Sequence, residues 1–173
     1  RLPASAVGLG LRIRIGAHSD NLFNLDTWQR VPVVSRTWPL NAREVVVASP
    51  YGGVVYIEVP RGRQGEAEVA VDGAVESPLY LSGVTDPAEW PNIRQRPGPW
   101  AEIGTDRMIV TVPSELVRQL DDPEEVAFTW LRLLDLAADL AQSGTARSRP
   151  ERFVTDVQIS AGYMHAGYPL MCH

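Results

Sequence analysis

The sequence predicts an α+β fold: a mainly antiparallel, sandwich-like β arrangement with one long amphipathic helix and a few short helical turns. Period-two alternation begins at Leu9–Ile15. Five further segments rich in β-branched residues lie between turn formers, and a capped run with helical spacing is confined to about 122–142.

In Leu9-Gly-Leu-Arg-Ile-Arg-Ile15 the aliphatic side chains share one face and Arg12 and Arg14 the other, the pattern of a half-buried strand. Further strands are expected at Glu44–Ala48, Val54–Val59, Glu66–Val71, Met108–Val112 and Phe153–Ile159. Their spacing of about ten residues early in the chain suggests a sandwich or barrel-like sheet. Pro50-Tyr-Gly-Gly53 and Arg61-Gly-Arg-Gln-Gly65 read as hairpin turns, because glycine tolerates the positive φ that a tight turn demands. Asp122 as N-cap, Pro123 at the first helical position and Glu125 three residues after the cap start the helix. Val126, Trp130, Leu133, Leu134, Ala137, Leu140 and Ala141 form its expected apolar face, and Ser143-Gly144 its stop. Shorter helical turns are expected at Pro87–Arg94 and Ser114–Leu120.

A chain of 173 residues suits one domain with at most a short appendage. The polar run Gln142–Pro150 is too short to divide domains. A net charge of −5 gives nucleic-acid backbones no electrostatic footprint, and no apolar run approaches the ~20 residues of a membrane-spanning helix. The single cysteine, Cys172, has no internal disulfide partner and reads as a small buried hydrophobe. The chain begins with Arg1 and ends in the apolar stretch Gly162–His173, which suggests a piece of a longer protein cut before the element that docks its end.

Few residues announce chemistry. None of the three histidines lies in a HExxH pattern, which would set two imidazoles on one helix face to hold zinc. His18-Ser-Asp20 could offer two ligands from one strand face, yet no third is identifiable, so a structural role in a turn is the default and no metal ligand is assigned. His165, flanked by Tyr163 and Tyr168 in a glycine-bearing segment, could line a site or simply pack a crossover. No G-x-S-x-G elbow occurs, and Gly8-Leu-Gly10 precedes its strand instead of following it, against a dinucleotide fingerprint. Among five tryptophans, Trp90 and Trp100 flank the proline-rich stretch 91–99 and are the candidates for carbohydrate contact, with core packing as the default.

Four collinear segments, Ile15–Leu22, Ser49–Pro60, Pro97–Ile103 and Asp156–Pro169, together resemble the enhancin-like peptidases: viral enhancins, bacterial mucin-degrading enzymes and vertebrate TRP-channel-associated factors. The resemblance runs from about Leu9 to His173. It implies the amino-terminal, mostly β part of a gluzincin-type zinc metallopeptidase domain acting on glycoproteins such as mucins, with zinc held by a HExxH segment and a later glutamate beyond His173. Zinc is therefore expected in the parent protein, with its ligands outside this chain, and the chain alone is expected to be catalytically silent. Tyr163, His165, Tyr168, Gly52, Gly53 and Tyr56 are expected near the substrate cleft. The resemblance leaves two classes of function: a secreted or surface protease, or a channel-associated regulatory protein on the cytoplasmic side of a membrane whose peptidase-like fold serves binding and trafficking. A carbohydrate-binding β module is the remaining alternative.

Overall fold

The first sheet is built on β1 (Arg12–Ile15), flanked antiparallel by β2 (Arg36–Pro39) and β3 (Val55–Glu58), in a computed structural model that describes residues 1–165 and 167–173. Ile13 stands opposite both Trp38 and Ile57, so one face is apolar. That face packs with Leu2, Ala6, Leu11 and Leu40 into a core of its own. The other face carries Arg14 and Tyr56, in register with each other.

The second sheet has six strands: β4 (Leu79–Leu81), β5 (Trp100–Gly104), β6 (Met108–Pro113), β7 (Glu151–Thr155), β8 (Met164–His165) and β9 (Leu170–Cys172), ordered β4-β5-β6-β7-β9-β8. Alternation along the strands gives each face one role. Ala101, Ile103 and Val112 join Tyr80, Trp90, Val117 and Ala127 in a core beneath the short helix α1 (Trp90–Ile93) and the long helix α2 (Pro123–Leu140). Glu102, Thr111 and Arg152 point the other way and meet Tyr56 of the first sheet. The layers therefore run helices, six-stranded sheet, three-stranded sheet.

The expected sandwich is corrected here, and the reason lies in that meeting. In a sandwich two apolar faces interdigitate; here the first sheet turns its apolar face toward the chain's own start and its polar face toward the second sheet. The mainly antiparallel expectation is also replaced by a mixed sheet, since β4–β5, β6–β7 and β7–β9 pair in parallel. The β6-to-β7 parallel pairing needs a long crossover, and α2 supplies it.

Helix α2 starts as the sequence requires: the Asp122 carboxylate accepts the Glu125 backbone N–H at 3.1 Å, with Pro123 at the first turn. Its buried side differs from the expected one. Pro123, Ala127 and Ala138 are buried and Val126 packs on the core, whereas Leu133, Leu136 and Leu140 are exposed. Trp130 lies against Phe153 with ring centroids 4.7 Å apart.

Glu44–Ala48 and Glu66–Val71 do not form strands. Their neighbours bond to the first two residues, Leu2 N–H to the Arg43 carbonyl, and Ala70 N–H to the Arg1 carbonyl with the amino terminus donating back to the Ala70 carbonyl, and no ladder develops. Both expected hairpins thus lose an arm and survive as turns, closed by Gly52 N–H to Ser49 O and Arg63 N–H to Pro60 O. Strands β2, β4, β5, β8 and β9 are additions to the sequence reading. They include the apolar end of the chain, which is docked between β7 and β8 with Met171 buried. Ala166, inside the Gly162–Pro169 segment, lies outside the described residues.

Glycine is required at the approach of the 49–54 turn to β1. Gly53 has φ +122°, and a Cβ there would stand 2.9 Å from both Cα and N of Gly16, whereas Gly52 has φ +65° with open space around it. Gly52→Ala is expected to cost about 1 kcal/mol from the left-handed backbone alone. Gly53→Ala adds a backbone clash and is expected to cost at least about 2 kcal/mol. Equal losses for the two variants in urea unfolding would show that the close approach is not what demands glycine.

Candidate functional site at the seam of the two sheets

Where the two sheets meet, the chain buries charge. Asp156, just past β7, is at the centre: one carboxylate oxygen accepts His18 Nε2–H at 2.8 Å and Arg30 Nε–H at 2.5 Å, and the other accepts the Gln158 backbone N–H at 3.4 Å. Asp20 is its neighbour. It accepts the Ser160 amide at 2.7 Å and the Ser160 hydroxyl at 2.5 Å, and it lies 3.4 Å from Arg30 and 3.3 Å from His165. The side chains of His18, Asp20, Arg30 and Asp156 are all nine-tenths buried or more. The remaining Arg30 donors go to the carbonyls of Val31, Pro32 and Asp20.

The ring of His18 is oriented from both ends. Its Nδ1 accepts the Asp20 backbone N–H at 3.2 Å while its Nε2–H donates to Asp156, so both nitrogens are committed within the protein. Burial by itself pushes the Asp20 carboxyl up, but the Ser160 hydroxyl and amide, then His165 and Arg30, outweigh it and hold the group below the usual carboxylate range. Asp156 follows the same balance: burial raises it, and the His18 hydrogen bond and the Arg30 charge more than reverse the effect.

A second polar cluster sits further along the seam. Glu102 of β5 accepts the Tyr56 hydroxyl at 2.6 Å and the Thr111 hydroxyl at 2.8 Å, and it pairs with Arg152 of β7. Arg152 also donates to the Tyr56 oxygen at 3.1 Å and lies 4.9 Å from its ring centroid. Burial and the neighbouring Glu102 charge push the Tyr56 phenol well above its usual value, so it stays a protonated donor.

Three cavities follow this seam. One of about 470 Å³ includes Gly52, Gly53 and Trp100 in its walls together with His18 and Asp156. A second, of about 270 Å³, is lined by Tyr56, Arg152 and Tyr168, and a third, of about 170 Å³, by His18, Asp20, His165 and Tyr168. Five of the six residues expected near a cleft, Gly52, Gly53, Tyr56, His165 and Tyr168, thus gather along one seam. Tyr163 is 75% exposed and forms no wall of these cavities. The Tyr168 hydroxyl donates to the Pro150 carbonyl, and Arg149 stacks on its ring.

The two tryptophans separate. Trp100 lines the 470 Å³ cavity, but Trp90 is 1% exposed, packs edge-on against Tyr80 and donates its indole N–H to the Leu120 carbonyl. Buried so deeply, Trp90 offers no face to a sugar, and the Leu120 carbonyl that satisfies its indole lies 30 residues away.

Sequence reasoning passed over Arg30, Asp156, Ser160, Glu102 and Arg152. The side-chain bonds by which they join the two sheets span 46 to 140 residues, so local spacing does not expose them. The Asp20 of the His18-Ser-Asp20 pair was the one usable signal.

Family models match the chain over its full length. Residues 73–173 match the family described as peptidase M60, enhancin and enhancin-like, and residues 1–72 match the N-terminal domain of M60-like peptidases. The chain belongs to the M60 enhancin-like peptidase family. The two matches divide it as the sheets do, β1–β3 before residue 72 and β4–β9 after 73.

Relatives include a TRPM8 channel-associated factor homolog of Xenopus laevis, 44% identical over 99% of this chain, and human TRPM8 channel-associated factors 2 and 1, at 41% and 40% over 99%. The chain spans about a fifth of the length of these curated relatives, 19% in each case. The fold is shared with a functionally unknown conserved protein of Bacillus anthracis (TM-score 0.69, 20% identity, 95% of this chain and 35% of that one). It is also shared with the catalytic module of the metalloprotease ZmpA of Clostridium perfringens (TM-score 0.59, 14% identity, 94% of this chain and 38% of that one). The M60 catalytic domain of ZmpC from the same organism, solved in complex with the sialyl T antigen, matches at a TM-score of 0.60 and 9% identity, over 96% of this chain and 41% of that one.

Zinc is the metal an M60 peptidase implies, and the residues of this chain do not fit it. Among the described residues no three His, Cys, Asp or Glu side chains are grouped as a metal ion requires, and the best-placed imidazole, His18, has both nitrogens occupied. Among the described residues, the charged side chains at the seam bond to other groups of this chain.

Asp156→Asn is expected to lower stability at pH 7 by roughly 3 kcal/mol, since it leaves the Arg30 charge buried with half its compensation. The pH dependence follows from the lowered carboxyls. Their stabilisation is fully present above the ordinary carboxyl value of 3.8 and is lost as pH falls through the lower folded-state values. Urea unfolding of wild type and variant should therefore converge below about pH 4. A gap that stays constant from pH 7 down to pH 3 would refute a charged role for Asp156.

Proposed function

We propose that this chain is the β-rich part of an M60 peptidase-like domain in a protein of the channel-associated-factor type, and that it serves recognition and does not supply catalytic groups. The observation that carries this reading is the contrast between relatives. Identity to the channel-associated factors is 40–44% over nearly the whole chain, against 9–20% to the microbial proteins that share its fold. The site agrees with it: each charged side chain at the seam is directed to another group of the same chain, which suits a surface held rigid for binding. On this reading the partner is a TRPM8-type channel, the protein works at the cytoplasmic side of a membrane, and Gly52, Gly53, Tyr56, His165 and Tyr168 belong to the wall of a peptidase-like cleft.

A second reading has its own support. The fold neighbours named as catalytic modules, one of them bound to the sialyl T antigen, favour a zinc peptidase acting on glycoproteins such as mucins, with its metal ligands supplied by residues outside this chain. Tyr163 and His165 would then adjoin substrate.

The intact protein decides between them. Co-precipitation with TRPM8 from detergent-solubilised membranes, undiminished by a zinc chelator, is the expected result, together with no cleavage of a mucin-type glycoprotein. Chelator-sensitive cleavage without channel association would overturn the first reading in favour of the second, and alanine at Tyr163 and His165 should then lower turnover.

A further inference from the structure

The 470 Å³ cavity at the seam has the size of a small-ligand pocket and an unusual division of its walls. Its ionisable wall is His18, Arg30 and Asp156, and all three are satisfied by protein groups: the imidazole at both nitrogens, the guanidinium by two carboxylates and three carbonyls, Asp156 by His18, Arg30 and the Gln158 amide. A charged ligand entering here would lose water and gain no counter-charge. The rest of the lining is uncharged and largely apolar, with Val34, Val54 and Pro113 beside the aromatic Tyr51 and Trp100, and it includes one neutral polar group, the Thr155 hydroxyl, which has no hydrogen-bond partner among the described residues. Tyr51, Leu116 and Val157 are each more than half exposed, yet all three converge on this one cavity, forming an apolar rim around it.

We infer that this cavity is a binding site for a neutral aromatic group, held by apolar contact and selected by the absence of any free charge in the walls. The inference stands independently of whether the parent protein cleaves glycoproteins or binds a channel, because it rests on the cavity's own lining. The same chemistry can arrive as a free small molecule or as an aromatic side chain of a peptide, and the two sources are separable by experiment.

The test uses the intact protein and fluorine NMR, with 5-fluoroindole as probe, 4-fluorobenzoate as charged counterpart, and a capped tryptophan peptide as competitor. Saturable binding of 5-fluoroindole is expected, with 4-fluorobenzoate at least tenfold weaker. Leu116→Lys, a change at the exposed rim that spares the fold, should weaken the probe at least fivefold, and Val34→Phe, which fills the cavity from within, should abolish binding. Displacement by the peptide at lower concentration than by free indole identifies a side chain as the source, and the reverse order identifies a small molecule. Absence of saturable binding, equal binding of 4-fluorobenzoate, or binding unchanged in Leu116→Lys would each overturn the inference, the first by showing that the pocket is closed or covered in the intact protein.

Discussion

The Asp156 carboxylate is the point on which the two halves of this chain depend. His18 and Arg30 come from the segment that follows and precedes strands of the first sheet, while Asp156 follows β7 of the second, and all three meet at 2.5–2.8 Å in a buried space. Remove the carboxylate and the Arg30 guanidinium keeps Asp20 as its remaining counter-charge, while the His18 Nε2–H loses its acceptor. Because the first sheet spends its apolar face on Leu2, Ala6, Leu11 and Leu40, hydrophobic contact between the sheets is limited, and buried polar pairing takes over the task of fixing their relation. Geometry set by directed bonds is more specific than geometry set by apolar area, which suits a seam that has to hold cavities open.

The second cluster repeats the logic with different chemistry. Glu102 gathers a phenol, a hydroxyl and a guanidinium from three other strands, so that β3 of the first sheet and β5, β6 and β7 of the second share one carboxylate. The cavities follow the same seam, and the charged side chains of both clusters bond within the chain. A wall of this kind offers shape and apolar surface to a ligand while its own charges stay turned inward.

How much of this was legible in the sequence can be seen residue by residue. The α2 start was readable because Asp122, Pro123 and Glu125 act within one turn, and β1 and β6 were readable because their alternation reports a buried face directly. Glu44–Ala48 and Glu66–Val71 carry the same β-rich composition and fail as strands, since composition cannot say whether a partner strand exists. Conversely Leu79–Leu81 and Leu170–Cys172 are strands on account of the neighbours they pair with. The exposed Leu133, Leu136 and Leu140 of α2 show the same limit: periodicity marks an apolar stripe but not which part of it another element covers.

The family resemblance in four short segments named Gly52, Gly53, Tyr56, Tyr163, His165 and Tyr168 as cleft candidates; five of them line cavities along the seam, and Tyr163 is exposed. What the sequence by itself determined was therefore local or inherited: caps, turns, alternation, the excess of negative charge, and family membership. Tertiary structure alone decided that the sheets meet through polar faces, that Trp90 is core and Trp100 wall, and that His18, Arg30 and Asp156 form one network. The physical reason is distance along the chain. Capping and alternation act over a few residues, whereas a carboxylate 126 residues from its guanidinium leaves no periodic trace, and only folding brings the two within bonding range.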